Sequence, residues 1–262
     1  MTTAAEQWRA ELGAWAIPAD ILDRAPEPPW GFPVELFRAD DDQASTPSRA
    51  QALDALPGGG SVLDVGCGGG AASLALVPPA AHVTGVDSSA EMLQEYAAAC
   101  TRRGVAHDEV TGDWPAIAPA VEPHDLVVCH HVLYNTPDLP EFAAALTERA
   151  RRRVVVELTA THPLASSAPL WQHFHGLDRP AGPTADLAAQ VLADCGITVR
   201  RLRWRRPPRN VPREVYVRLN RRRLCLPADA DPEVDRLMGD LSVWRDVVTL
   251  WWDVDGQQAP TV

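Results

Sequence analysis

From Gln51 onward, short apolar runs rich in β-branched residues alternate with alanine-rich stretches of helical spacing. That alternation marks βαβ units, in which a helix carries the chain back to a neighbouring parallel strand. The runs lie at residues 61–65, 82–86, 109–111, 126–129, 154–158 and 197–204, and a seventh at 247–252 reads as a final, antiparallel strand. The expected fold is α/β, with a doubly wound, mostly parallel seven-stranded sheet and an antiparallel last strand. A helical N-terminal cap is expected before the sheet, and a helical insertion before its last strand.

Ala5, Trp8, Leu12 and Trp15 recur at helical spacing, with Thr2 or Thr3 available as N-cap, so the first sixteen residues predict an amphipathic helix. A proline-rich segment at 26–33 follows, with Trp30, Phe32 and the nearby Phe37 as aromatic anchors over the core. In the last third, residues 215–226 fit either a strand or an arginine-studded helix, whereas Val234, Leu237, Met238 and Leu241 follow helical spacing. Two helices are the preferred reading. The chain is thus expected to divide into a cap at 1–49, a core at 50–165, and a part at 166–262 that completes the sheet and carries a substrate-side loop and the insertion.

Composition removes several chemistries. All 24 strongly basic residues are arginines, and without lysine neither a Schiff base nor a lysine-dependent phosphate loop can form. The five cysteines, Cys67, Cys100, Cys129, Cys195 and Cys225, are scattered without a CxxC pair and read as reduced thiols with no metal site. Glu6, Arg9, Glu11 and Asp20 stand where a secretory signal would need a basic start and an apolar run. No apolar stretch approaches the roughly 20 residues that span a bilayer, so a cytoplasmic protein without membrane contact is expected. Residues 200–223 hold eleven arginines against Glu214 alone, within a chain of net charge −11. Such asymmetry can mark an anion-binding surface, but a solvated strand and helix face is the preferred reading.

The strongest local signal is the strand 62–65 running into Gly66-Cys67-Gly68-Gly69-Gly70 before an alanine-rich stretch. Glycines let the backbone turn sharply and approach a ligand with no Cβ in the way, and the following helix start offers unpaired N–H groups. Asp64, two residues ahead of Gly66, would repel a pyrophosphate but favour the cationic amino and sulfonium groups of S-adenosylmethionine. Asp87, at the end of the next run, can accept hydrogen bonds from both hydroxyls of a ribose, or else cap the helix that follows.

Four segments together resemble the class I (Rossmann-like) S-adenosylmethionine-dependent methyltransferase superfamily. They are Leu63-Asp64-Val65-Gly66-Cys67-Gly68-Gly69-Gly70, Gly85-Val86-Asp87-Ser88-Ser89-Ala90-Glu91-Met92-Leu93, Gly112-Asp113-Trp114 and Asp125-Leu126-Val127-Val128-Cys129-His130-His131. The resemblance covers roughly residues 50–158 and implies an enzyme with S-adenosylmethionine as cofactor. It implies cofactor contacts from Asp64, Gly66, Cys67, Gly68, Gly70, Asp87, Ser88, Met92, Gly112, Asp113, Trp114, Cys129 and His130. In it, Asp113 would bond the adenine amino group and Trp114 would pack on the ring; alternatively the pair is a polar turn and a core tryptophan.

Methyl transfer from a sulfonium is an in-line displacement, and a hydroxyl acceptor usually needs a base that titrates near neutrality. His131 and His130, where the fourth strand ends, are the candidates, with plain structural roles as the alternative. Tyr134, Asn135, His162, Trp171 and His175, with Trp30 and Phe32, are expected to line a small-molecule acceptor pocket. His173, His175 and Asp178 match no standard metal site. Three other readings share part of the pattern. Asp64 and Gly112-Asp113-Trp114 argue against an NAD-dependent oxidoreductase. Cys129-His130-His131-Val132 stands where enzymes methylating base amino groups carry Asn/Asp-Pro-Pro-aromatic, against a nucleic-acid-modifying enzyme using residues 200–223. A non-catalytic S-adenosylmethionine-binding protein stays open, as do the oligomeric state and the acceptor atom (O, N or C).

Overall fold

The computed structural model describes residues 2–30, 45–208 and 211–254. Phe32 and Phe37 lie outside the described residues. Seven strands, β1 (Gly60–Val65), β2 (Ala80–Asp87), β3 (Ala106–Thr111), β4 (His124–His130), β5 (Ala150–Thr159), β6 (Arg200–Arg206) and β7 (Arg245–Asp253), form one sheet in the order β3-β2-β1-β4-β5-β7-β6. β7 runs antiparallel to both its neighbours, and the pairings among β1 to β5 are all parallel. The sheet is thus the mostly parallel seven-stranded one expected, with its last strand reversed.

Period-two alternation sorts the strands onto two cores. Leu63, Val65, Val127, Cys129, Val154, Val156 and Leu158 point to one side, against α1 (Ala4–Gly13), α6 (Leu139–Glu148) and α8 (Ala185–Asp194). Val62, Val83, Leu126, Val128 and Val155 point to the other, where α3 (Pro47–Asp54), α4 (Ala71–Leu74) and α5 (Ala90–Arg103) bring Ala52, Leu74, Leu93 and Tyr96. Both faces are covered by helices, which is why the central strands read as continuous apolar runs. β6, at the edge, alternates arginine with Leu202 and Trp204 and is largely exposed; its charges discourage further strand pairing.

A third, smaller cluster joins Trp15 and Ile21 to Leu170 and Trp171 of α7 (Ala168–His175), Val217 of α9 (Arg213–Arg223) and Val234 of α10 (Asp231–Leu237). It is a helical lobe made from the start of the chain and the stretch between β5 and β7.

Several boundaries differ from expectation. The first helix ends at Gly13, short of Trp15, and its start is a full capping box, with Thr3 and Glu6 bonding each other's backbone N–H. Residues 213–223 are helical, as in the preferred reading: Val215 and Val217 are buried, and so is Arg221, which meets Glu27 and Asp231. The spacing that runs on to Leu241 outlasts its helix: α10 stops at Leu237, and Met238 turns extended ahead of Gly239. β6 begins at Arg200, three residues after the expected start, because Ile197 and Val199 pack on the core before the strand forms. Trp8 does not lie on a loose cover. It is fully buried in the main core, and its Nε1 donates to the Thr136 carbonyl at 2.8 Å.

Candidate functional site

Strand order reverses between β1 and β4, and in open α/β sheets the ends of the strands at such a switch form a crevice. Three chain segments meet there. After β1, Gly66, Gly68 and Gly70 take φ values of 70°, 50° and 84°, a region that penalises any residue with a Cβ. At Gly66 an added Cβ would come within 2.3 Å of Val132 Cγ2, so the turn after β1 and the segment after β4 touch directly. The Gly66 and Cys67 N–H groups donate to the Val86 carbonyl, which ties the turn to the end of β2.

Asp87 closes this corner. Its Oδ2 accepts from Gly68 N at 3.0 Å and its Oδ1 from Ser89 N at 2.9 Å. The helix cap itself is Ser89, whose Oγ accepts from Met92 N at 3.3 Å, while Ser88 is exposed. Asp64 is buried on β1 and accepts from Ser73 Oγ (2.7 Å) and Ser73 N (3.2 Å), which pins the start of α4 to the strand. Burial pushes its carboxyl up to about 6, against the lowering effect of the two Ser73 bonds. Burial also raises the Cys67 and Cys129 thiols well above their ordinary value, so neither is a nucleophile.

Gly112 follows β3 and donates its N–H to the Asp87 carbonyl at 3.1 Å, which sets Asp113 and Trp114 beside the same corner. Asp113 is exposed; Trp114 is half-buried, packs on the main core and approaches the Phe142 carbonyl with Nε1 at 3.4 Å.

The end of β4 is organised by a residue that sequence reasoning missed. Glu157 on β5 pairs in register with His130 and is buried, with its Oε1 3.0 Å from His131 Nε2 and 2.5 Å from an Arg206 guanidinium nitrogen. Arg206 also lies 3.2 Å from His131 Nε2. His131 is held at φ 63°, unusual for a side chain of this size, by its N–H bond to the Glu157 carbonyl at 2.6 Å. Burial works to raise the Glu157 carboxyl, but His130, His131 and Arg206 outweigh it and hold it well below the usual range. His130 is lowered to about 4 by burial, with Glu157 opposing. The available signal was a lone carboxylate inside the apolar run Val154-Val155-Val156-Glu157-Leu158. Arg206 had none, lying in a run of arginines.

The expected acceptor residues are spread more widely. Tyr134 stacks on Trp8 and donates to the Thr159 carbonyl at 2.7 Å. His162 stacks on Trp15 with centroids 4.3 Å apart and is lowered to about 4, first by burial and then by Arg223. Trp171 is buried under Arg179, and His175 Nε2 lies 2.7 Å from the Leu224 carbonyl. Asn135 and Trp30 are exposed. The polar atoms of Tyr134 and His175 are thus engaged in holding the protein together. His173 faces Glu233 at 2.8 Å. Arginines of residues 200–223 meet acids of this chain: Arg200 with Asp253, Arg201 and Arg203 with Asp186, Arg213 with Asp235, and Arg221 with Glu27 and Asp231.

Residues 62–153 match the family model described as a methyltransferase domain. Two relatives are named ubiquinone biosynthesis O-methyltransferase. The one from Xylella fastidiosa is 37% identical over 30% of this chain and 33% of its own length. The one from Methylococcus capsulatus is 32% identical over 41% of this chain and 47% of its own. The alignments thus span about a third to a half of these curated relatives. Among solved structures, magnesium protoporphyrin IX methyltransferase from Synechocystis PCC 6803 with bound SAH superposes with TM-score 0.51 at 17% identity, covering 78% of this chain and 79% of that one. The YcgJ protein from Bacillus subtilis gives 0.53 at 13% identity, covering 79% and 97%. The methyltransferase-domain match falls on the strands that build the glycine corner, and the sheet that carries them has the same fold as these structures.

Proposed function

We propose that this chain is an enzyme that transfers a methyl group from S-adenosylmethionine to a small-molecule acceptor. The observation that carries the reading is the Gly66–Gly70 turn drawn onto Asp87 at the switch point of the sheet. The residues present fit the cofactor. The left-handed glycines leave the turn without a Cβ at positions 66, 68 and 70, and the Asp87 carboxylate keeps lone pairs for two ribose hydroxyls beside the bonds it already accepts. Asp64, Gly66, Cys67, Gly68, Gly70, Ser88, Met92, Gly112, Asp113, Trp114, Cys129 and His130 are the other residues we assign to its surroundings. When bound, the cofactor supplies a methyl group activated by its sulfonium.

The chain's own work is to hold the acceptor and exclude water. The names of the relatives support oxygen as the acceptor atom. We assign His131 the proton of that hydroxyl: its ring is partly exposed, and Glu157 and Arg206 engage Nε2, leaving Nδ1 for the acceptor. Glu157 is then a positioning residue. Exposed Asn135 and Trp30 are assigned to acceptor contact together with Phe32, while Tyr134 acts through the packing of the main core and His162, Trp171 and His175 through that of the lobe. The cap at 1–49, the core at 50–165 and the remainder at 166–262 serve this one site. The pairing of its arginines with the chain's own acids supports a small acceptor over nucleic acid. Five free cysteines suit the cytoplasm, and no helix among the described residues is long and apolar enough to cross a membrane. Calorimetry with S-adenosylhomocysteine and with NADH tests the reading. Binding of the first alone is expected; binding of NADH alone would overturn it.

A further inference from the structure

Two buried polar atoms at the end of β4 and β5 have no hydrogen-bond partner among the described residues: His130 Nε2 and Glu157 Oε2. Leaving such an atom unsatisfied forfeits its hydration without return, and native proteins keep few of them without a use. These two are neighbours. His130 and Glu157 are paired in register on adjacent strands, so their side chains leave the sheet on the same face. They do not bond each other. The other carboxylate oxygen is already engaged by Arg206 and His131, so rotating the carboxylate to satisfy Oε2 would break those contacts.

On the other side, Asp64 pairs with Val128, so β1 and β4 leave the sheet side by side and His130 stands between the glycine turn and Glu157. Thr249, opposite Glu157 on β7, accepts from Trp204 Nε1 at 3.0 Å, and the Arg206 guanidinium lies 5.3 Å from the Trp204 ring centre. An aromatic side chain therefore flanks the cluster. The Glu157 side chain is fully buried, while the His131 and Arg206 side chains that cover it are 32% and 24% exposed, so a ligand reaches the pair by displacing these two.

We propose that Glu157 Oε2 and His130 Nε2 form a two-point site for a second hydroxyl group of the acceptor, distinct from the one whose proton His131 takes; this rests on the methyl-transfer reading above. The carboxylate can only accept, and its field favours the neutral imidazole tautomer with the proton on Nε2, so the pair offers one acceptor and one donor. A hydroxyl answers both, donating to Oε2 and accepting from Nε2–H. An ammonium has no lone pair for the imidazole N–H, and a carboxylate would face Glu157 with like charge and no proton to give. The site orients the hydroxyl and does not deprotonate it, since both groups are poor bases: His130 is lowered to about 4 and Glu157 lies well below the usual range.

Phenol, benzylamine and benzoate serve as probes, each titrated into the full chain with and without saturating S-adenosylhomocysteine while the imidazole nitrogens are followed by NMR. Phenol is expected to bind at least tenfold more tightly than the other two and to shift His130 Nε2. His130→Phe leaves the Arg206–Glu157 pair intact and should weaken phenol at least tenfold. Glu157→Gln should do the same, and if that variant fails to fold, His130→Phe alone decides. Benzoate or benzylamine binding as well as phenol, or unchanged phenol affinity in folded His130→Phe, overturns the proposal. If S-adenosylhomocysteine fails to bind, the methyl-transfer reading falls, while the phenol series without it still judges the hydroxyl site.

Discussion

The carboxyl ends of β1 and β2 and those of β4 and β5 lie at the same end of the sheet, yet they are built on opposite principles. The first is made of backbone: positive-φ glycines, N–H groups turned to the Val86 carbonyl, and one carboxylate, Asp87, joining the turn to the next helix. Its polar groups are partnered by neighbours close in sequence or one βα unit away. The second is made of side chains on β5, just past β4 and at the end of β6, namely Glu157, His131 and Arg206, with a histidine in strained backbone and two buried atoms left unpartnered among the described residues. A shape kept by backbone suits a constant ligand, whereas a side-chain cluster can be altered for a different one without disturbing the turn. This is the division expected between a shared cofactor and an acceptor particular to one enzyme.

The comparison breaks if a change at one end is felt equally at the other. The largest effect is expected at Gly68, held at φ 50° with its N–H on Asp87. Gly68→Val should abolish S-adenosylhomocysteine binding, measured by calorimetry, in a protein whose circular dichroism still shows the fold. Normal binding by the folded variant would mean that the turn is not the cofactor cradle. Next comes His131→Ala, expected to lower the methyl-transfer rate by about 100- to 10,000-fold as for loss of a general base, with cofactor affinity within twofold of the parent. A matching fall in cofactor affinity would merge the two ends into one.

Asp64 sharpens the contrast through pH. Its folded carboxyl, raised to about 6 by burial, lies above the ordinary unfolded value of roughly 3.9. Its contribution to stability is therefore full below about pH 4 and is lost as pH rises through about 6. Asp64→Asn keeps an oxygen for Ser73 and removes the titration. The parent should lose on the order of 3 kcal/mol relative to this variant between about pH 4 and pH 7.5, read by urea unfolding. A difference independent of pH would show that the carboxyl titrates normally. The smallest effect is expected from Asp87→Ala, which should weaken S-adenosylhomocysteine by about 1–3 kcal/mol through lost ribose and Gly68 contacts. Unchanged affinity would remove Asp87 from the cofactor site.

The glycine corner was legible because its parts are local. Strand, turn and helix follow one another within residues 62–74, and Asp87 ends the next strand at a spacing set by one βα unit. Period-two burial made the strands visible for the same reason, and their direction followed from the helices between them. The antiparallel β7 was visible as a final apolar run, but its place between β5 and β6 was not, since nothing local records which strand lies beside which. That placement brings Arg206 to Glu157 across 49 residues and leaves Thr249 opposite the same carboxylate. Trp8 and Tyr134 show the same limit from the other side: their residue types suggested a cover and a pocket wall, and packing made them neighbours in the core. By itself the sequence determined the periodicity, the turn and the chemistry its residue types allow, all of which act over a few residues. Only the tertiary structure decided which distant side chains share a buried space, because partners for a buried charge are chosen by strand order and register, and these are properties of the whole sheet.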